Sequence, residues 1–143
     1  MDRTDSKKAL HMARIILVYM AAAAAAWLCV RRFSGLHPFL VVGLADIAAT
    51  LLVFLFSMLF NNSSVYDPYW SAAPVPIALY YLIAVRPPEA GIGLRQGIIL
   101  VLVFIWGARL TWNWIRRWDG MHHEDWRYAG FRERFGNLYW LVS

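Results

Sequence analysis

Apolar residues run along this chain in four long blocks, each too evenly apolar to be the one-sided stripe of a water-exposed helix. A helix needs about 17–25 apolar residues to cross a bilayer. On that measure the blocks predict spans over residues 10–30, 39–60, 72–85 and 96–114. The third is short and opens with Pro74 and Pro76, which a first helical turn tolerates because its amide hydrogens lack intrahelical acceptors. The breaker sequence RPPEAGIG precedes the fourth. From Ile115 onward Trp and Tyr alternate with arginines and acids, the pattern of amphipathic rings at headgroup depth. The expected fold class is therefore an all-α membrane protein, one domain over residues 1–143, with an interfacial amphipathic segment over residues 115–143.

Composition sharpens this. Of 143 residues, 60% are hydrophobic, against about 45–50% in an ordinary soluble domain. The net charge of +5 does not indicate nucleic acid, because the basic residues sit at the ends of the apolar blocks, where topology and anionic headgroups place them. Cys29 is the lone cysteine, so no disulfide forms within the chain and the redox compartment stays open. The start, MDRTDSKKALHMAR before Ile15–Val30, resembles a signal peptide. Trp27, Leu28 and Cys29 make a poor cleavage site, so the segment reads as an uncleaved first span. The run Ala21–Ala26 is good helix former with small side chains for close packing.

Orientation follows from the cations. An N-terminus inside puts Arg3, Lys7, Lys8, Arg14, Arg116, Arg117, Arg127, Arg132 and Arg134 on the cytoplasmic side. Only Arg31, Arg32, Arg86 and Arg95 then lie outside, with Arg109 inside the last helix. Both termini are expected to be cytoplasmic. This arrangement also brings the loop NNSSVYDPYWS, Asn61 to Ser71, to the same face as Arg109 to Tyr128, so the two polar, aromatic segments are expected to line one site.

On the last block Arg109, Asn113 and Arg116 or Arg117 recur every three or four residues and share one helix face, which Trp106 extends. A guanidinium in hydrocarbon costs at least about 2.5–3.5 kcal/mol, so Arg109 is expected to face a cavity, a partner or an anion. Two readings stand for this face. One is a cationic surface for the phosphates of a dinucleotide or another anion; the other, for Arg116 and Arg117, is snorkelling to headgroups. His122, His123, Glu124 and Asp125 are adjacent, whereas metal-binding pairs on helices favour wider spacings, so no metal site is expected. The acids are expected to cap or to pair with Arg127, Arg116 or Arg117, while Trp126 and Tyr128 anchor the segment at the interface.

Asp67 precedes Pro68 and is flanked by Tyr66, Tyr69 and Trp70. An acid among phenols at a cavity mouth suits orienting a substrate carbonyl, or donating a proton if burial raises its pKa. The plainer alternative is an aromatic belt with a helix-start acid. Asp46, in mid-span without a cation on its own helix, is expected to meet Arg109 or a hydroxyl across the bundle, or to stay protonated. GIG at Gly91–Gly93 is too short for a phosphate loop and follows no strand, which excludes a soluble-type nucleotide fold.

YDPYWS at Tyr66–Ser71, RLTWNWIRRWDG with HEDWRY within Arg109–Tyr128, and the YWLVS ending resemble the DUF1295 family of multi-pass membrane proteins, related to steroid 5-alpha-reductases. More distant relatives are sterol reductases and isoprenylcysteine methyltransferases. The resemblance implies an NADPH-dependent reductase of an activated carbon–carbon double bond in a lipid-like substrate. It implies a cofactor side formed by Arg109, Asn113, Arg116, Arg117, Glu124, Asp125, Trp126 and Arg127. Asp67 and Tyr69 would act on the substrate, with Trp70 binding it. Family members also carry a second half with an RHPNYxGE-like motif. On that comparison this chain resembles the N-terminal half, expected to be inactive alone and to need a second-half polypeptide or a homo-oligomer. The alternatives are a non-enzymatic membrane subunit or pseudoenzyme, and a relative that uses S-adenosylmethionine for methyl transfer.

Overall fold

The computed structural model describes residues 3–85, 87, 89, 91–122 and 124–143, with side chains from Lys8 onward. Arg86 and His123 lie outside the described residues, as do the side chains of Arg3 and Lys7. The described chain is helical and contains no strand. Helix α1 is Arg3–Arg32, α2 is Pro38–Leu59, α3 is Asp67–Ala72 and α4 is Pro74–Tyr80, which widens into a π-helical turn over Tyr81–Val85. Helix α5 is Leu94–Arg117, α6 is Trp126–Phe135 and α7 is Tyr139–Val142. Four stretches are long and apolar enough to cross a membrane: Lys8–Arg32, Pro38–Leu59, Ser63–Val85 and Leu94–Arg117.

Helices α1 and α2 form the most extensive pair. The face of α2 carrying Val41, Ala45, Ala49, Val53 and Ser57 is buried at every fourth position, with Ala49 and Val53 packed against Val18 and Ala22 of α1. Between membrane helices there is little hydrophobic driving force, so small residues that permit close van der Waals approach carry the association. The opposite faces are apolar and uncovered: Phe39 is 71% and Leu59 75% exposed. So broad an apolar surface suits lipid as solvent. Pro38 starts α2 and the His37 imidazole accepts the Phe39 N–H, which satisfies an otherwise orphaned donor.

The end of α2 sets up everything that follows. The Asn62 N–H closes back on the Ser57 carbonyl, and Asn61 takes the left-handed conformation at φ 50° that asparagine tolerates. The Asn62 side-chain oxygen accepts the Ser64 N–H at 2.9 Å, starting a buried 3-10 turn over Ser63–Val65. Helix begins here, so the stretch expected as a loop before a span at 72 is instead the first part of a third span from Ser63. The signal misread was Asp67–Pro68. Pro68 sits at the start of α3, where its missing N–H costs nothing. Pro74 and Pro76 then divide α3 from α4 without ending the span.

Helix α5 lies against α3 and α4. The approach is close at Gly107, where an added Cβ would stand 2.5 Å from the Ser71 carbonyl oxygen. The Ser71 and Thr111 hydroxyls bond at 2.8 Å across the same contact. Gly107→Val should therefore separate α5 from α3 and destabilise the fold by about 1–3 kcal/mol through overpacking. Gly97→Ala, with open space around its Cβ position, should not. Denaturant unfolding of both variants in lipid nanodiscs checks this.

Candidate functional site

Glu124 is the centre of a polar cluster on the side of the bundle where α2 ends. Its Oε1 accepts the Ser63 N–H at 3.0 Å, the Tyr139 hydroxyl at 2.6 Å and Arg132 Nη2 at 3.1 Å. Its Oε2 accepts Arg132 Nε at 3.1 Å. Arg132 also donates to Asn61 Oδ1 at 2.9 Å and lies 4.1 Å from the centre of the Tyr139 ring. Burial pushes the Glu124 carboxyl up, but Arg132, the Tyr139 hydroxyl and the Ser63 amide together outweigh it and hold the group below the usual carboxylate range. The Tyr139 phenol is pushed up to about 12, by burial and by its bond to Glu124.

Beside this, Asp125 caps α6. Its Oδ1 accepts the Arg127 N–H at 3.0 Å and Nε at 2.8 Å, and its own N–H donates to Ser64 Oγ at 2.7 Å. The Arg127 bond holds this carboxyl low against the smaller effect of burial. Asp67 accepts the Tyr128 hydroxyl at 2.7 Å and Arg127 Nη2 at 3.4 Å. Burial, then Asp67, raises the Tyr128 phenol. Asn62 donates to the Met121 carbonyl at 2.8 Å, and the Met121 N–H reaches His11 of α1 at 3.3 Å. The structure thus brings the Asn61–Ser71 stretch and the HEDWRY segment together. Glu124 selects Arg132 in place of the arginines expected from the sequence; Asp125 takes Arg127.

Tyr69 points elsewhere. On a helix, two positions turn the side chain by about 200°, so Asp67 and Tyr69 leave opposite faces of α3. The Tyr69 hydroxyl donates to Asp46 Oδ1 at 2.8 Å and accepts from Thr50 Oγ1 at 3.3 Å. Of the partners expected for Asp46, the hydroxyl is the one found. Tyr66 stacks on Tyr69 at 5.5 Å, while Trp70 meets Tyr66 edge-on and is 62% exposed. Asp46 and Tyr69 line a cavity of about 300 Å³ between α1, α2 and the α3–α4 pair. The rest of its wall is alanine, valine, proline and isoleucine, apart from two further phenols, Tyr19 and Tyr80.

Arg109, Asn113 and Arg116 are exposed along α5, and among the described residues none of their side chains has a hydrogen bond or ion pair. Arg109 stands two residues from Gly107, about 200° around the helix, so this row faces away from α3 and α4. Arg117 lies apart from it, at a second cavity of about 240 Å³ with Ser64, Asp67, Trp114, Trp118, Asp125 and Trp126. The residues expected as one cofactor face are therefore divided between an outward row and the cluster. Sequence reasoning left Arg132, Tyr139 and Ser63 unassigned and gave Tyr128 only an anchoring role. The usable signal was Tyr128 and Arg132 at i, i+4 on one face of α6.

Residues 53–143 match the family model described as "Protein of unknown function (DUF1295)". No curated protein and no solved structure matches the chain. The matched region opens in the second half of α2 and takes in the whole cluster.

Because Glu124 is held below its unfolded value, the stability it contributes is full above the ordinary carboxylate range and is lost as pH falls through the folded value. Glu124→Gln should cost about 1.5–3 kcal/mol at neutral pH, the worth of a charged hydrogen bond. It should also flatten the stability profile on the acid side. Unfolding monitored between neutral and acid pH checks both effects.

Proposed function

This chain belongs to the DUF1295 family, and on that premise we propose that it is the substrate-holding part of an integral membrane NADPH-dependent reductase acting on an activated double bond of a lipid-like molecule. One observation carries the reading: an apolar cavity within the bundle whose wall has a paired acid and phenol, Asp46 and Tyr69. Hydrocarbon fills the alanine-lined part. A substrate carbonyl is the group that can replace one partner of the pair, since it accepts the hydrogen bond that Tyr69 gives Asp46 or one from a protonated Asp46. That bond polarises a conjugated alkene, and the pair holds the proton that the reduced product needs.

NADPH, when bound, supplies the hydride. Arg109, Asn113 and Arg116 fit its phosphates by chemistry, as donors without partners among the described residues. Glu124, Asp125 and Arg127 are engaged with one another's segments, and we assign them to holding the site in shape. The row on α5 faces outward at a depth where lipid is a poor partner for a guanidinium. A second polypeptide or a second copy covering α5 therefore belongs to the reading. Both termini and the cluster lie on the cytoplasmic side in this scheme, supported by the Lys and Arg bias toward that side.

A second reading rests on a specific observation: the α5 row and the cavity lie on opposite sides of the α3–α4 pair. A non-enzymatic subunit would hold the lipid in one place and a partner helix in the other.

The test is NADPH consumption by the nanodisc-embedded chain, alone and with candidate second-half polypeptides, over α,β-unsaturated ketone lipids. Tyr69→Phe should lower turnover by about 10²–10⁴-fold while ketone-lipid binding weakens less. Saturable, Tyr69-dependent lipid binding with no turnover in any combination would select the subunit. Turnover and binding both indifferent to Tyr69→Phe and Asp46→Asn would overturn the assignment of the cavity.

A further inference from the structure

The second cavity, about 240 Å³, is formed where the third and fourth spans finish on the cluster side, with Asp67 near one span end and Arg117 closing the other. This is headgroup depth. Its walls are three indoles, Trp114, Trp118 and Trp126, two carboxylates, Asp67 and Asp125, and the Arg117 guanidinium. Trp114 and Trp118 stack at 5.3 Å with their planes 26° apart. Trp118 is only 5% exposed, yet its indole N–H has no acceptor among the described residues. A buried donor left unpaired costs about 1–3 kcal/mol, and this one belongs to an indole of the cavity wall.

The carboxylates differ in what they have left to offer. Asp67 receives Tyr128 on one oxygen and Arg127 on the other. Asp125 receives both Arg127 donors on Oδ1, and its Oδ2 has no donor among the described residues. The Arg117 side chain has no hydrogen bond or ion pair among them and feels Asp125 only as a charge at longer range. The cavity therefore presents one open carboxylate oxygen, one open guanidinium and aromatic faces. A simple anion would meet the carboxylates with nothing to offer them. A simple cation would leave Arg117 unmet. A ligand carrying both charges meets the guanidinium and the open carboxylate oxygen together.

We propose that this cavity binds the headgroup of a zwitterionic phospholipid, a phosphodiester carrying an ammonium two carbons away. The ammonium lies against the indoles and Asp125 Oδ2, where ring quadrupole and carboxylate both attract it. The phosphate takes the Arg117 guanidinium, whose planar fork suits it. The site uses neither Asp46 nor Tyr69 and stands independently of the reading of the first cavity.

The experiment titrates the full chain in non-ionic detergent with glycerophosphocholine and glycerophosphoethanolamine, followed by calorimetry. Nanodiscs of mixed phosphatidylcholine and phosphatidylglycerol then report which lipid is retained on extraction. Trp126→Ala and Arg117→Gln change exposed positions and should leave folding intact, read as an unchanged unfolding midpoint. Each should weaken binding of the soluble headgroups by about 3–30-fold, the loss expected for one cation–π or ionic contact. Arg134→Gln, exposed elsewhere on α6, should have no effect. Enrichment of phosphatidylcholine over phosphatidylglycerol, lost in both variants, identifies the membrane as the source. Soluble headgroup binding without that enrichment keeps the chemistry and assigns it to a free phospho-amino-alcohol. Tetramethylammonium binding as tightly as glycerophosphocholine, or inorganic phosphate competing as well, would reduce the site to a single charge and overturn the proposal. So would soluble headgroup binding, or an enrichment of phosphatidylcholine, that survives both variants unchanged.

Discussion

Inside hydrocarbon a polar group has no water to fall back on, and the bundle is arranged around that constraint. Among the described residues, several inward-turned polar side chains of the spans find a partner within a few residues or on the next helix. Ser57 returns its hydroxyl to the Val53 carbonyl, and Tyr19 of α1 reaches the Val65 carbonyl at 2.9 Å. Ser71 and Thr111 join α3 to α5, and Tyr69 joins α3 to Asp46 of α2. These bonds set the order of the layers, because each names which helix must be adjacent. The small residues between them, Ala45, Ala49 and Gly107, let that order close tightly.

Where the spans end, the logic changes. The segment from Trp126 to Val142 buries little besides Tyr128 and Tyr139, while Trp126 and Leu141 are 79% and 86% exposed. Its attachment is polar, through Glu124, Asp125, Arg127 and Arg132 to the turn between α2 and α3. Partly desolvated, charge-assisted bonds of this kind are stronger than exposed ion pairs, and several acting together fix orientation better than one. The Ser63 amide and the Ser64 hydroxyl, both buried, are the receiving groups.

Much of this was legible in the sequence. Block length gave four membrane-length helices, though the third begins at Ser63 and not at 72, and the demand that Asp46 find a hydroxyl or an arginine was a direct reading of its depth. The meeting of the Asn61–Ser71 stretch with HEDWRY followed from placing both on one side. What could not be read was the conformation of Asn61–Ser71. Its asparagines and serines favour turns on their own, and only their bonds to α6 and the buried setting convert the stretch to helix. Once it is helical, Asp67 and Tyr69 cannot serve the same site. The pairing of Glu124 with Arg132 was hidden for a related reason: it depends on where α6 begins, and Asp125 decides that by capping it.

Helix α3 has six residues, and three of its polar side chains are tied to different neighbours, Tyr69 to α2, Asp67 to α6 and Ser71 to α5. The Cα atoms of Asp67 and Tyr69 are separated by about 3 Å along the axis. Tyr69 and Asp67 leave opposite faces of this one short segment. The wall of the bundle's interior and its outer polar clasp are therefore built on the same few residues of backbone.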